Sequence, residues 1–251
     1  MKLINTEHQN KTAILKLNRD IKNAINPQLV NELSDELQKI RNDANVNSVV
    51  LGSLGEKFFS IGLDIPRLYE LSREDFKKFL QAYDRLCIEL YTLPKPTIIA
   101  ITGHAIAGGC ILALCCDYRF IAEGRKLMGL NEVKLGVPVP YPADCILQNL
   151  IGSRNAREIM NTGEFYQSED LLKMGVVDQV LPLEQVLPKS VEKAESLGAL
   201  PQKAFGAIKR NRTEIVEKQI LKHLAEKEDF FIDCWYSDEV RERLKEAVKK
   251  F

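Results

Sequence analysis

Apolar positions change their period along this chain, and the changes mark out its elements. Thr12 to Leu17, Ser48 to Ser53 and Pro96 to Thr102 are short runs, rich in β-branched residues and almost free of charge, as expected of strands buried on both faces. Pro27 to Asp43 and Arg73 to Leu93 return apolar residues every three or four positions and predict helices. Gly108 to Cys116 is Ala/Leu-rich and apolar throughout, and predicts a buried helix. Strands alternating with helices in this way predict an α/β chain with buried parallel strands.

Beyond about Ser190 the strand signals fade. Three amphipathic stretches follow, near Gln202 to Asn211, Glu214 to Phe231 and Asp238 to Lys249. The last carries Val240, Leu244 and Val248 at fourfold spacing, with Arg and Lys toward its end, where they complement the helix dipole. The expected division is a core over residues 1–195 and a helical region over residues 196–251. That region either covers its own core or packs on a sister subunit.

Thr97 to Cys116 is nearly uncharged and about long enough to span a bilayer. Its β-branched first half, its Ala/Leu-rich second half and the glycines at 103, 108 and 109 fit a strand, a turn and a buried helix better. No membrane partner is expected. The chain has 251 residues, 45% hydrophobic and 28% charged, enough to bury a sizeable core. Lys+Arg and Asp+Glu both total 35, so no global charge draws it to nucleic acid, and small molecules are the expected partners. Cys87, Cys110, Cys115, Cys116, Cys145 and Cys234 form no C-x-x-C pair and no zinc-spaced cluster with His, and sit mostly in apolar runs. Reduced core thiols are expected, and no metal. Met1 to Lys11 is polar, without the apolar segment of a signal peptide, so the expected location is the cytoplasm.

Three segments carry candidate chemistry. Lys57-Phe-Phe-Ser-Ile-Gly-Leu-Asp64 runs from a strand end through a turn at Gly62 to Asp64, a good helix cap. Ala107-Gly-Gly-Cys-Ile111 offers bare backbone N–H groups at a helix start, which serve either close packing or the oxygen of a ligand. Gly129-Leu-Asn-Glu132 sets one carboxylate in an otherwise apolar run. Donors for an oxyanion and a base for a proton are the parts of enolate chemistry. The glycine pair lacks G-x-G-x-x-G spacing, and G-x-x-x-x-G-K-[ST], G-x-S-x-G and H-E-x-x-H are absent from the sequence.

These segments, with Lys22-Asn-Ala-Ile-Asn-Pro27, His104 to Cys110, Cys116-Asp-Tyr-Arg119 and Leu135-Gly-Val137, follow the order and spacing of the crotonase (enoyl-CoA hydratase/isomerase) superfamily, which the chain resembles over nearly its whole length. Gly62-Leu-Asp64, Cys116 to Arg119 and Gly129 to Glu132 look most like the short-chain mitochondrial type of 3,2-trans-enoyl-CoA isomerase. The resemblance implies a crotonase-like spiral of β-β-α repeats and a C-terminal helical region used in trimerisation, giving a homotrimer or a dimer of trimers. It also implies an acyl-CoA substrate, with no cofactor beyond the coenzyme A of that substrate.

Carried over position by position, the resemblance makes the backbone N–H groups of Leu63 and Gly108 the oxyanion donors and Glu132 the catalytic base. It puts Ala24, Ile61, Gly62, Leu63, Asp64, Ile65, Gly108 and Asn131 against the substrate. Hydratases of the superfamily carry a second glutamate where this chain has Ile111, and a hydrocarbon side chain cannot hold or activate water. An isomerase that moves a double bond from position 3 to position 2 is therefore expected. A hydratase with a displaced acid, a thioester hydrolase and a non-catalytic acyl-CoA-binding protein are the alternatives. Among other residues, His104 is expected to be structural, and Asp117 to pair with Arg119. The run Val137 to Pro142 is expected to wall the acyl pocket stiffly, with Tyr141 setting chain length, and Phe230, Phe231 and Trp235 to serve packing.

Overall fold

The computed structural model describes residues 2–249 and 251. The chain opens on a hairpin in which β1 (Ile4–Gln9) runs antiparallel to β2 (Thr12–Leu17). α1 (Pro27–Asn42) follows, with Asn26 accepting the Leu29 N–H at 2.9 Å and Pro27 in the first turn. A strand–strand–helix unit then recurs three times. The first comprises β3 (Ser48–Ser53), β4 (Phe58–Ser60), α2 (Ile65–Tyr69) and α3 (Arg73–Tyr91). The second comprises β5 (Thr97–Ile101), β6 (His104–Ile106) and α4 (Gly108–Leu114). The third comprises β7 (Tyr118–Ala122), β8 (Leu127–Gly129), α5 (Glu132–Leu135) and α6 (Tyr141–Thr162). A partial turn through β9 (Tyr166–Gln167), α7 (Ser168–Met174) and β10 (Gln179–Leu181) leads to α8 (Leu183–Gly198), α9 (Gln202–Trp235) and α10 (Asp238–Val248).

The first strand of each unit enters a six-stranded sheet of order β1-β2-β3-β5-β7-β10, parallel from β2 onward. The second enters a four-stranded sheet of order β4-β6-β8-β9, parallel through β8. This is the expected spiral of β-β-α turns. Side chains of the large sheet alternate as its pleat requires: Val49, Leu51, Ile99 and Ile101 enter the main core, while Val50, Ile98, Ala100 and Phe120 pack under α8 on the other face. Both faces are covered, which is why β3 and β5 read as unbroken apolar runs.

Thr97 to Cys116 folds as β5, β6 and α4, and no helix among the described residues is long and apolar enough to cross a membrane. The cysteines are all free, five of them buried. Two readings need correction. The stretches near Gln202 to Asn211 and Glu214 to Phe231 are one helix, α9, because no breaker lies between them and the Thr213 hydroxyl donates to the Lys209 carbonyl at 3.0 Å instead of capping a new start. Asp117 and Arg119 are joined only by the Arg119 guanidinium donating to the Asp117 backbone carbonyl at 3.3 Å, and not carboxylate to guanidinium. Asp117 accepts from Lys209 at 2.7 Å and from Arg212, while Arg119 reaches Asp178 at 3.2 Å and the Val176 carbonyl at 2.7 Å. Residues two apart along a strand share a face, but Asp117 lies just before β7 and its carboxylate is taken up by two cations of α9. Here each has a stronger partner on a different helix or loop.

Candidate active site

The parallel order β4-β6-β8 lays three chain segments side by side just past their strand ends. Leu63 lies three residues after β4, Gly108 two after β6 and Glu132 three after β8. The repeat thus brings the same station of each turn to one place.

The β4 segment is pinned from outside by Lys22 to Pro27. Asn23 donates to the Phe59 carbonyl at 3.1 Å, Ser60 Oγ donates to the Asn23 carbonyl at 2.8 Å, and the Gly62 N–H donates to Ser60 Oγ at 3.1 Å. Ile25 bridges Leu63, giving its N–H to the Gly62 carbonyl at 2.7 Å and taking that of Asp64 at 2.9 Å. The Leu63 N–H is left between these bonds without an acceptor among the described residues. Gly62 is fixed by necessity: at φ 90° a methyl group would lie 2.9 Å from the Gly108 nitrogen, the Ile106 carbonyl oxygen and Ala107 Cβ. The same contact shows how closely the two donor segments approach.

At the β6 segment, Ala107 holds φ 47° and ψ −118°, a costly conformation for a residue with a side chain. It turns the peptide into Gly108, whose N–H opens α4 and likewise has no acceptor among the described residues. The Gly108 carbonyl accepts from the Tyr83 hydroxyl at 2.7 Å, which fixes this first turn from α3. The Ala107 N–H donates to the Gly129 carbonyl at 2.9 Å, tying the β6 segment to the one that carries Glu132.

Glu132 begins α5 and is 6% exposed, with Oε2 unpartnered. Burial pushes its pKa up to about 7, with a smaller opposing effect from its own backbone N–H. It lines a cavity of about 240 Å³ with Leu63, Gly108, Ile61, Ile65 and Asn131. Ile111 is also in this wall, and Glu132 has the only carboxylate side chain among the lining residues. Ala24, Gly62 and Asp64 are not in the wall. They stand behind it: Ala24 and Asp64 are held by Arg19, and Asp64 also caps α2 through the Arg67 N–H at 3.3 Å. His104 accepts the Leu127 N–H on Nδ1 at 3.0 Å and does not face the cavity.

The rest of the wall was read differently from sequence. Val137 and Pro140 of the expected Val137 to Pro142 wall line this cavity, but Pro138, Val139 and Tyr141 line a second one. Phe231 and Trp235, expected to serve packing alone, also line the first, as do Ala247 and Phe251. α10 packs on α2 and α5 and so covers the chain's own site, one of the two positions expected for the C-terminal region. Tyr83 was missed altogether, since one tyrosine in a long amphipathic helix gives no signal of its own.

Two free backbone donors, one desolvated carboxylate and an apolar wall suit proton removal beside a carbonyl whose oxygen gains charge. Over 189 residues the chain is 35% identical to mitochondrial enoyl-CoA delta isomerase 1 of Mus musculus, covering 75% of this chain and 65% of that protein, slightly under two thirds of its length. It is 27% identical to a crotonyl-CoA hydratase of Syntrophomonas wolfei over 97% of this chain and 94% of that one. The crystal structure of human mitochondrial delta3-delta2-enoyl-CoA isomerase superposes with a TM-score of 0.95 at 27% identity, covering 99% of this chain and 98% of that one. The family model described as enoyl-CoA hydratase/isomerase matches residues 7–251, and the chain belongs to that family.

Proposed function

We propose that the chain is an acyl-CoA isomerase that moves a double bond from position 3 to position 2 of an enoyl-CoA. The observation that carries this reading is the carboxylate count: Glu132 alone faces the cavity, with Ile111 in the same wall. Glu132 takes a proton from C2, the Leu63 and Gly108 N–H groups hold the dienolate oxygen, and the protonated Glu132 returns the proton at C4. Such stabilisation requires the thioester oxygen to sit about 2.7–3.1 Å from each donor. Asn131, beside the base, orients it. Every proton moves between Glu132 and substrate, so these steps call on no cofactor beyond the coenzyme A of the substrate. Ala24, Gly62 and Asp64 serve binding by shaping the Leu63 turn. The proposed assembly is a homotrimer or a dimer of trimers, and the free thiols fit a reducing compartment such as the cytoplasm.

Incubation of purified protein with a 3-enoyl-CoA and separately with a 2-enoyl-CoA tests this reading by product analysis. The expected products are the 2-enoyl isomer from the first and little 3-hydroxyacyl-CoA from the second. Glu132→Gln is expected to lose about a hundredfold or more in isomerisation while still binding the thioester. Efficient hydration by the wild type, or near-normal isomerisation by Glu132→Gln, would overturn the single-glutamate mechanism.

A further inference from the structure

A second cavity, of about 230 Å³, adjoins the first, and Pro140 and Phe231 line both. Its wall is mostly apolar but includes Asp84, Glu228 and Asp144, none of which takes part in the chemistry at Glu132; Asp144 already accepts from Gln148 at 2.6 Å. Asp84 is 2% exposed and its Oδ1 has no hydrogen-bond partner. It follows Tyr83, the α3 residue that holds Gly108, so the two adjacent side chains serve the two cavities. Glu228, on α9, is 5% exposed and accepts from Gln81 at 3.2 Å. Lys227, also in the wall, pairs with Glu226 at 3.1 Å. A buried carboxyl oxygen without a partner costs stability, and the chain's own packing gives it no compensation.

We propose that the second cavity is a distal acyl subsite in which Asp84, with Glu228 beside it, binds an acyl chain whose far end carries a hydroxyl group. The inference rests on the acyl-CoA reading above and adds a substrate class to it. A chain that runs from Glu132 past Pro140 and Phe231 enters the second cavity, where Asp84 is the carboxylate with an unpartnered buried oxygen. A terminal hydroxyl donates there, whereas a methyl group leaves the oxygen unpaired. Sites built to hydrogen-bond a substrate hydroxyl discriminate strongly against analogues without it. Burial, and the charge of Glu228, raise the Asp84 carboxyl well above its usual range, which suits an uncharged partner.

The test is calorimetric titration of the full chain with CoA thioesters of saturated acids, each paired with its terminally hydroxylated counterpart, over a series of increasing length. Wild type is expected to bind the hydroxylated member of the long pairs about tenfold more tightly, and to show no preference between short ones. Asp84→Leu, similar in size and apolar, should reverse the long-chain preference, and Asp84→Asn should keep part of it. Equal affinity for the long pair, preference for the methyl end, or the same preference in short and long pairs would overturn the inference, as would an unchanged preference in Asp84→Leu. The wild-type series decides the matter even if that variant does not fold. If no thioester binds at any length, the acyl-CoA reading fails and takes the inference with it; if thioesters bind without discrimination, the inference alone falls.

Discussion

With Glu132 as the proposed base, rising pH should move activity and stability in opposite directions. As a base it must be ionised, so kcat/KM for isomerisation should climb through about pH 7 and level off above it. For stability the folded pKa of about 7 stands above the ordinary 4.5, so the folded state binds the proton more tightly than the unfolded one. The contribution is whole below about 4.5 and is lost as pH rises through about 7, at a cost of up to about 3 kcal/mol once the group is charged. Glu132→Gln should therefore be more stable than wild type at about pH 8, with the gap closing toward pH 4.5. Urea melts of both proteins across this range check it, and a gap that widens on acidification would contradict the assignment. At Gly108, an added methyl would meet Ile25 Cδ1 and the Tyr83 hydroxyl at 3.2 Å. Gly108→Ala should shift the donor and lower kcat about tenfold or more, while Leu63→Ala, which keeps its N–H, should stay within a few-fold of wild type. Steady-state kinetics on the two variants compare a moved donor with a trimmed side chain.

At the scale of elements, α9 is anchored to the large sheet by a buried ion pair. Lys209 donates to Asp117 at 2.7 Å, with both side chains at most 3% exposed, and Asp117 also accepts the Thr97 N–H at 2.9 Å. Burial alone would push the Asp117 carboxyl up, but Lys209 and Arg212 outweigh it and hold it below its ordinary value. Asp117→Ala leaves the Lys209 ammonium buried without its counter-charge and should destabilise the fold by about 3–5 kcal/mol. Adding Lys209→Met should recover much of that loss, because the stranded charge is then gone. Chemical denaturation of the single and double variants measures both, and a double variant no more stable than the single would contradict the account. β3 and β5 were legible because each is long and branched enough to show a strand pattern. β4, β6 and β8 were not: each has three residues, too few for any period, yet these are the strands that align the site.

The whole molecule places its last helices over its own site and leaves Ile208, Ile215, Leu221 and Phe230 of α9 exposed. Apolar side chains this open on one helix fit the proposed association of subunits. Sedimentation at micromolar concentration should give a trimer or a hexamer, and a monomer alone would rule the assembly out. Replacing Ile208 and Ile215 with Glu should shift sedimentation toward smaller species.

By itself the sequence determined the α/β class, the bounds of β2 and β3, the start of α3, and the three segments that hold Leu63, Gly108 and Glu132. Each is written locally: a strand run, an apolar residue every three or four positions, a glycine pair before an apolar helix, a carboxylate where its neighbours are apolar. Only the tertiary structure decided which distant side chains complete the wall. Phe231, Trp235, Ala247 and Phe251 come from helices that close over the site, and Tyr83 and Asp84 from a helix whose pattern announces nothing but burial. Tertiary structure also decided that the Asp117 carboxylate belongs to Lys209, 92 positions away, while Arg119 reaches only its backbone carbonyl. Local pattern reflects the face a residue turns inward; which element meets that face depends on how the turns of the spiral stack, and no short stretch of sequence carries that information.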